Sequence, residues 1–226
     1  MRKNNYGIFF EFCRAIARIV LPRFRFDNIF VNDEPTVYIS HHQNMIGPVS
    51  ILVWLKYYLR TWVLSVFASQ KECYNHYMNH TFTKRYKWPP IVAKMIAWPA
   101  SYIVPWIVKS ARAIPVYRGS RKIMDTFKIS VDALLNNEDI LIFPDIDYSD
   151  DSTEVSDIYE GFLHLEKYYY RETKKHLTFV PVYSNKEKRE VHSGKPIRFV
   201  GDKKFIEERK EVAQKIQEEL NRLSKI

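Results

Sequence analysis

Two adjacent histidines, His41-His42, follow an apolar, β-branched run from Thr36 to Ile39. That run reads as a buried strand. After a short polar step, Gly47-Pro48 opens a helical segment reaching Leu59, since proline suits a first helical turn. The pair therefore stands where a strand stops and a helix begins, a place where open α/β folds keep chemistry. Imidazole is the side chain best suited to accept and return a proton near neutral pH, so His42, and after it His41, are candidates for a general base. The helix start beyond them disfavours an imidazolium and favours a neutral ring. The bland alternative is that one histidine caps the loop and the other packs.

Two further strand ends carry reactive groups. In Val116-Tyr-Arg-Gly-Ser-Arg-Lys122 a strand ends, Gly119 turns the chain, and a helix starts at Ser120. Arg118, Arg121 and Lys122 add charge to a helix N-terminus, which suits an anion and above all a phosphate. In Ile140-Leu-Ile-Phe-Pro-Asp-Ile-Asp-Tyr148 a strand delivers Asp145 and Asp147 into an acidic loop. That loop is not a calcium site: Asp150 stands at the glycine position and Ser156 at the glutamate position. The Asp-x-Asp also resembles the metal clamp of nucleotide-sugar glycosyltransferases. The bland alternatives are a solvated basic helix start and a solvated acidic loop.

Positioning these groups requires an α/β domain. Strands are expected at 36–40, 61–67, 113–117, 139–143, 177–183 and 191–200, and helices at 48–59, 120–135, 158–171 and 203–226. The step from 113 to 143 is a β-α-β unit, which argues for a right-handed parallel crossover and a largely parallel central sheet flanked by helices. Residues 70–86 lack a period and read as a loop with a short helix. The 226 residues form one domain, with 1–30 a membrane-interface region and 31–226 the core. Tyr6 to Leu21 is an amphipathic helix whose Arg14 and Arg18, with Arg2, Lys3, Arg23 and Arg25 beside it, suit anionic headgroups. Pro90 to Val108 has Lys94 as its one charge, and Pro99 and Pro105 divide it, so two short apolar helices in the interface are expected.

The net charge of +9 calls for an anionic partner. No nucleic-acid signature accompanies it, which leaves a membrane surface or a phosphorylated substrate. Two cysteines without metal spacing fit a reducing compartment and no disulfide framework.

The order of these stretches resembles the lysophospholipid (1-acylglycerol-3-phosphate) acyltransferase family. Its first motif, H-x-x-x-x-D, often within N-H-Q-S-x-x-D, is similar to His41-His42-Gln43-Asn44-Met45-Ile46-Gly47, with His42 in the catalytic place. Its second ends a strand with an arginine, as Ile114-Pro-Val-Tyr-Arg118 does. Its third, F-P-E-G-T-R-S, is similar in frame to Phe143-Pro-Asp-Ile-Asp-Tyr-Ser149, and its fourth to Val180-Pro181-Val182. The resemblance implies a glycerolphosphate-acyltransferase-like fold. It implies transfer of an acyl chain from acyl-CoA or acyl-carrier protein to a lipid hydroxyl, with no cofactor or metal, at the cytoplasmic face of a membrane. It makes His42 the base and gives Arg118 and Asp145 to the acceptor.

The departures are these: Gly47 replaces the first-motif aspartate, and the third motif keeps an acid as Asp145 but loses its glycine and its arginine, with Tyr148 in the arginine position. In serine proteases, losing the orienting carboxylate lowers the rate by roughly 10⁴-fold. Asn44, a main-chain carbonyl, or an acid from Asp145 and Asp147 is expected to substitute. A catalytically degenerate lipid- or acyl-binding protein on this fold is the second function the chain suits. A metal-dependent glycosyltransferase using Asp145 and Asp147 is the third.

Overall fold

The computed structural model describes residues 5–27, 29–31, 33–148 and 150–226. Arg2 and Lys3, expected at the membrane interface, lie outside them.

A seven-stranded sheet forms the centre, in the order β1-β7-β6-β2-β5-β3-β4. The strands are β1 Arg25–Asp27, β2 Thr36–Ser40, β3 Leu59–Leu64, β4 Ile114–Val116, β5 Asp139–Ile142, β6 Thr178–Asn185 and β7 Glu190–Ser193. Every neighbouring pair is parallel except β6 and β7. The expected largely parallel α/β architecture is what the chain adopts.

Both faces of the sheet are covered, as a parallel sheet requires. Val37, Ile39, Ile140 and Ile142 pack with Phe127 of α5 (Ile123–Leu135), Leu165 of α6 (His164–Thr173) and Val212 of α7 (Phe205–Leu223). The intervening Tyr38, Leu141, Val180 and Val182 pack on the other face against Ile51 of α2 (Ile46–Trp54), with Phe26 and Phe30 beside them. The two-residue side-chain period of a strand produces this division. The connection leaving β2 runs to β3 on one side and that leaving β5 runs to β6 on the other, so the loops part above this central pair.

Several expectations need correcting. Residues 70–86 are not a loop: α3 (Gln70–His76) continues into a π-helical segment, Tyr77–Arg85. Phe82 of that segment is buried against Ala93 and Ala97 of the next helix, α4 (Pro90–Ser110), with Tyr74 and Tyr77 alongside, so tertiary packing orders a stretch with no period of its own. The apolar 90–108 stretch is one 21-residue helix, α4 (Pro90–Ser110), with Pro99 and Pro105 inside it. By length and composition it could cross a membrane, yet Ala93, Ala97 and Ser101 are buried in the protein. Residues 191–200 give a strand only to Ser193, after which Ile197 makes an isolated bridge to Phe179.

The first helix, α1 (Ile8–Val20), also differs from expectation. Arg14 is buried, donates from Nη2 to the Leu55 carbonyl at 2.7 Å, and stacks on Tyr6. Arg18 Nε donates to the Val53 carbonyl at 2.8 Å. Both arginines thus satisfy carbonyls at the C-terminus of α2. The outward face of α1 is apolar instead, with Ile8 91% and Ile19 85% exposed. Ile91, Met95, Trp98 and Trp106 of α4 are exposed as well, and Phe9 meets Trp106 edge-on at 6.0 Å.

Ile39 is fully buried between β5 and β6. Ile39→Ala should cost roughly 2–5 kcal/mol of stability through the cavity it leaves. The measurement is a lower urea midpoint at unchanged slope; an unchanged midpoint would contradict this core.

Candidate active site

His41 and His42 leave the C-terminal end of β2, and Asp145 leaves that of its parallel neighbour β5. His41 is only 2% exposed. Its Nδ1 forms a close ion-paired hydrogen bond with Asp145 Oδ1, and its Nε2 lies 3.1 Å from the Ser152 carbonyl. An ionised carboxylate and a carbonyl accept, so this arrangement suits a ring that donates from both nitrogens, the imidazolium form. Burial opposes that charge, but the hydrogen bond and charge of Asp145, aided by Ser152, outweigh it and raise the His41 pKa. The other Asp145 oxygen accepts the His42 main-chain N–H at 2.9 Å. One carboxylate therefore holds the ring of His41 and the backbone of His42.

His42 is in the opposite state. Its ring lies 5.5 Å from Phe143, edge-on, and 5.5 Å from Tyr148. Burial pushes its pKa down to about 4; Asp145 opposes that, while the charges of Arg85 and His41 add to it. Its Nδ1 is buried and, among the described residues, makes no well-formed hydrogen bond. At neutral pH the ring is uncharged and able to accept a proton.

Arg118 reaches the same place from the end of β4. Its guanidinium sits 5.1 Å above the ring of Tyr148 and 5.1 Å from that of Tyr159. Tyr148, in the place of the family arginine, thus separates His42 from Arg118 and touches both. His42, Arg118 and Asp145 converge as their strand ends predict. Arg121 and Lys122 do not join them. The helix begins at Ile123 rather than Ser120, and both side chains are exposed, with Lys122 over Tyr117 at 5.8 Å. Asp147 is exposed in the following loop. Asp145 spends both oxygens on the histidines, and among the described residues no group of three or more His, Cys, Asp or Glu is arranged to hold a metal.

Asn44 is not the substitute orienter of His42, because its Oδ1 accepts a close hydrogen bond from Arg85. Gln43, Asn44 and Met45 all have positive φ, at 42°, 55° and 130°. Such conformations cost on the order of 1–3 kcal/mol each and persist where their surroundings enforce them. Here Gln43 is anchored to the Tyr183 hydroxyl at 2.5 Å and Asn44 to Arg85. Gly47 closes the turn. A Cβ there would stand 2.1 Å from the His41 carbonyl oxygen and 3.2 Å from Phe143. No aspartate fits at 47 while this backbone stands, so the carboxylate of the site comes from β5 instead.

Arg85 and Tyr148 were not singled out as site residues in the sequence. Tyr148 carried a signal, since it stands at a motif position. Arg85 carried none, lying in an aperiodic polar stretch far from every motif. A cleft of about 420 Å³ along α7, lined by Asp157, Glu160, Lys210 and Gln214, shares no residue with the site.

Asp145→Asn should lower the His41 pKa and cost about 3–5 kcal/mol, because it strands a buried cation. The pair's contribution is complete below the ordinary histidine value and fades as pH rises through the raised His41 pKa. Ring titration by NMR and denaturation at pH 6 and 9 test this; a His41 titration untouched by the substitution would refute the pairing.

No protein-family profile matches the chain, and no curated protein matches it. Among solved structures it is similar to the 1-acyl-sn-glycerophosphate (LPA) acyltransferase PlsC from Thermotoga maritima. The TM-score is 0.55 at 12% identity, covering 95% of this chain and 78% of that one. The α/β fold of this protein is the fold of that acyltransferase.

Proposed function

We propose that this protein is an acyltransferase that moves an acyl chain from acyl-CoA or acyl-carrier protein to the hydroxyl of a lysophospholipid or glycerol-phosphate-like acceptor. The observation that carries it is a neutral, half-buried His42 at a strand end, with Asp145 fixing its backbone and Arg118 one tyrosine away. The acceptor O–H gives its proton to the outer nitrogen of His42 as its oxygen attacks the thioester carbonyl. The tetrahedral oxyanion collapses, the C–S bond breaks, and the imidazolium returns its proton to the leaving thiolate. Burial, helped by the charges of Arg85 and His41, keeps His42 neutral until the reaction makes it charged. Arg118, braced between two tyrosines, binds the acceptor's anion. The Tyr148 main-chain carbonyl acts on the His42 ring and would serve as its orienter by closing onto it when substrate binds.

The second reading, a lipid-binding relative without turnover, draws on one observation: the buried His42 Nδ1 lacks a well-formed partner. A thioester-release assay separates the two. His42→Ala should lower the rate about 10²–10⁴-fold while His41→Ala acts mainly on stability. In wild type, kcat/KM should rise with pH through about 4, as free His42 loses its proton, and stay flat toward neutrality. Wild type without turnover on any thioester would leave only the binding reading; a fully active His42→Ala would remove the base.

Membrane association belongs to the same proposal, at a cytoplasmic face and in the interface plane. What supports it is the apolar surface shared by α1 and α4, with Arg14 buried and the exposed Arg18 tied to the Val53 carbonyl. Ile19→Glu with Trp106→Glu should release the protein from lipid vesicles in cosedimentation, and added salt should weaken wild-type binding less than these changes do. A double variant that still sediments with vesicles would move the contact elsewhere.

A further inference from the structure

We propose that Arg85 is a second anion-binding residue of the acceptor site, acting with Arg118 on a phosphate-bearing single-chain lipid. The proposal rests on the acyltransferase reading above and deepens it.

Among the described residues, the more buried guanidinium groups tend to face an acid: Arg14 meets Glu11, Arg60 meets Glu138 and Arg209 meets Glu160. Arg118 and Arg85 do not. Among the described residues, Arg118 leans on the rings of Tyr148 and Tyr159, and Arg85 has the Asn44 amide oxygen and the Tyr86 ring at 5.3 Å. Arg85 is half-buried, so its charge is partly desolvated with no counter-ion. Such a charge gains most from an anion. The guanidinium fork carries five donors, and the Asn44 amide oxygen takes only one of its nitrogens, on one arm. The rest stay available to phosphate oxygens.

Arg85 also answers a deficit. Tyr148 stands where a cation is expected after β5, and it braces Arg118 without adding charge of its own. The lost charge returns from an unrelated part of the chain, the last residue of the π-helical segment Tyr77–Arg85. That segment is packed through Phe82 onto α4, which gives Arg85 a fixed base. Its charge already acts on the His42 ring, so an anion seated on Arg85 lies within electrostatic reach of the base.

The test is equilibrium binding, read by intrinsic tryptophan fluorescence, of a short-chain 1-acylglycerol phosphate and of the same lipid without its phosphate. Wild type, Arg85→Gln and Arg85→Lys are compared. Wild type should prefer the phosphorylated lipid. Arg85→Gln should weaken that lipid by about 10- to 100-fold, the range of a hydrogen bond to a charged group, and the neutral lipid by less than about twofold. Arg85→Lys should retain most of the preference. Equal loss for both lipids would make Arg85 only a brace for the Gln43–Met45 turn and overturn the proposal, as would a wild type indifferent to the phosphate. Binding is read without turnover. A protein that selects the phosphate through Arg85 but releases no thiol from any thioester therefore upholds this proposal and fails the acyltransferase reading.

Discussion

A buried carboxylate decides the geometry of this protein's working end. Asp145 places one oxygen on the His41 ring and the other on the His42 N–H, joining the loops that leave two neighbouring parallel strands. Burying two charges costs several kcal/mol per ion, and the interaction offsets this only when the pair is close and every remaining polar atom is satisfied. Both conditions hold: the contact is tight, Ser152 takes the second His41 nitrogen, and the His42 N–H takes the second oxygen. The result is less a source of stability than a fixing of register. Remove the carboxylate and the 41–42 peptide has no fixed relation to β5, and the imidazolium beside His42 has no counter-ion.

The same clamp explains why residue 47 is glycine. With His41 turned inward onto Asp145, its carbonyl points at residue 47, leaving no space for a Cβ. Gln43 to Met45 show the consequence. Three consecutive left-handed residues are a steep local cost, met by the anchors on Tyr183 and Arg85. A turn that depends on side chains from β6 and from the π-helical segment forms only when those elements are in place.

The parts legible in sequence are those fixed by local pattern. β2, β5 and the parallel crossover between β4 and β5 were readable because alternation and β-branching are local signals, and the three strand ends converge as read. What was not legible depends on contacts distant along the chain. His41 and His42 are adjacent and chemically identical in sequence; only burial and a partner about a hundred residues away make one a cation and the other a neutral ring. Arg14 and Arg18 looked like lipid-facing charges because a helical wheel does not show the carbonyls of Val53 and Leu55 waiting beneath. Residues 70–86 looked like a loop because a π-helical turn has no 3.6-residue period, and because the partners of Phe82 are two alanines of another helix.

Those alanines tie the outer surface to the site. Along α4, Ala93, Ala97 and Ser101 recur every four residues, so their small side chains form one face on which α3 and the π-helical segment sit closely. Ser101 adds a hydrogen bond from Gln70 at 3.0 Å. The opposite face of the same helix is the apolar one, with Ile91, Met95, Trp98 and Trp106 exposed. Arg85 follows Phe82 by three residues, so its position depends on how Phe82 sits on Ala93 and Ala97. Pro99 and Pro105 remove two N–H donors from that helix and weaken it between its ends. The packing therefore runs from α4 through Phe82 to the segment that ends at Arg85, and from Arg85 through Asn44 to the strained turn behind His42.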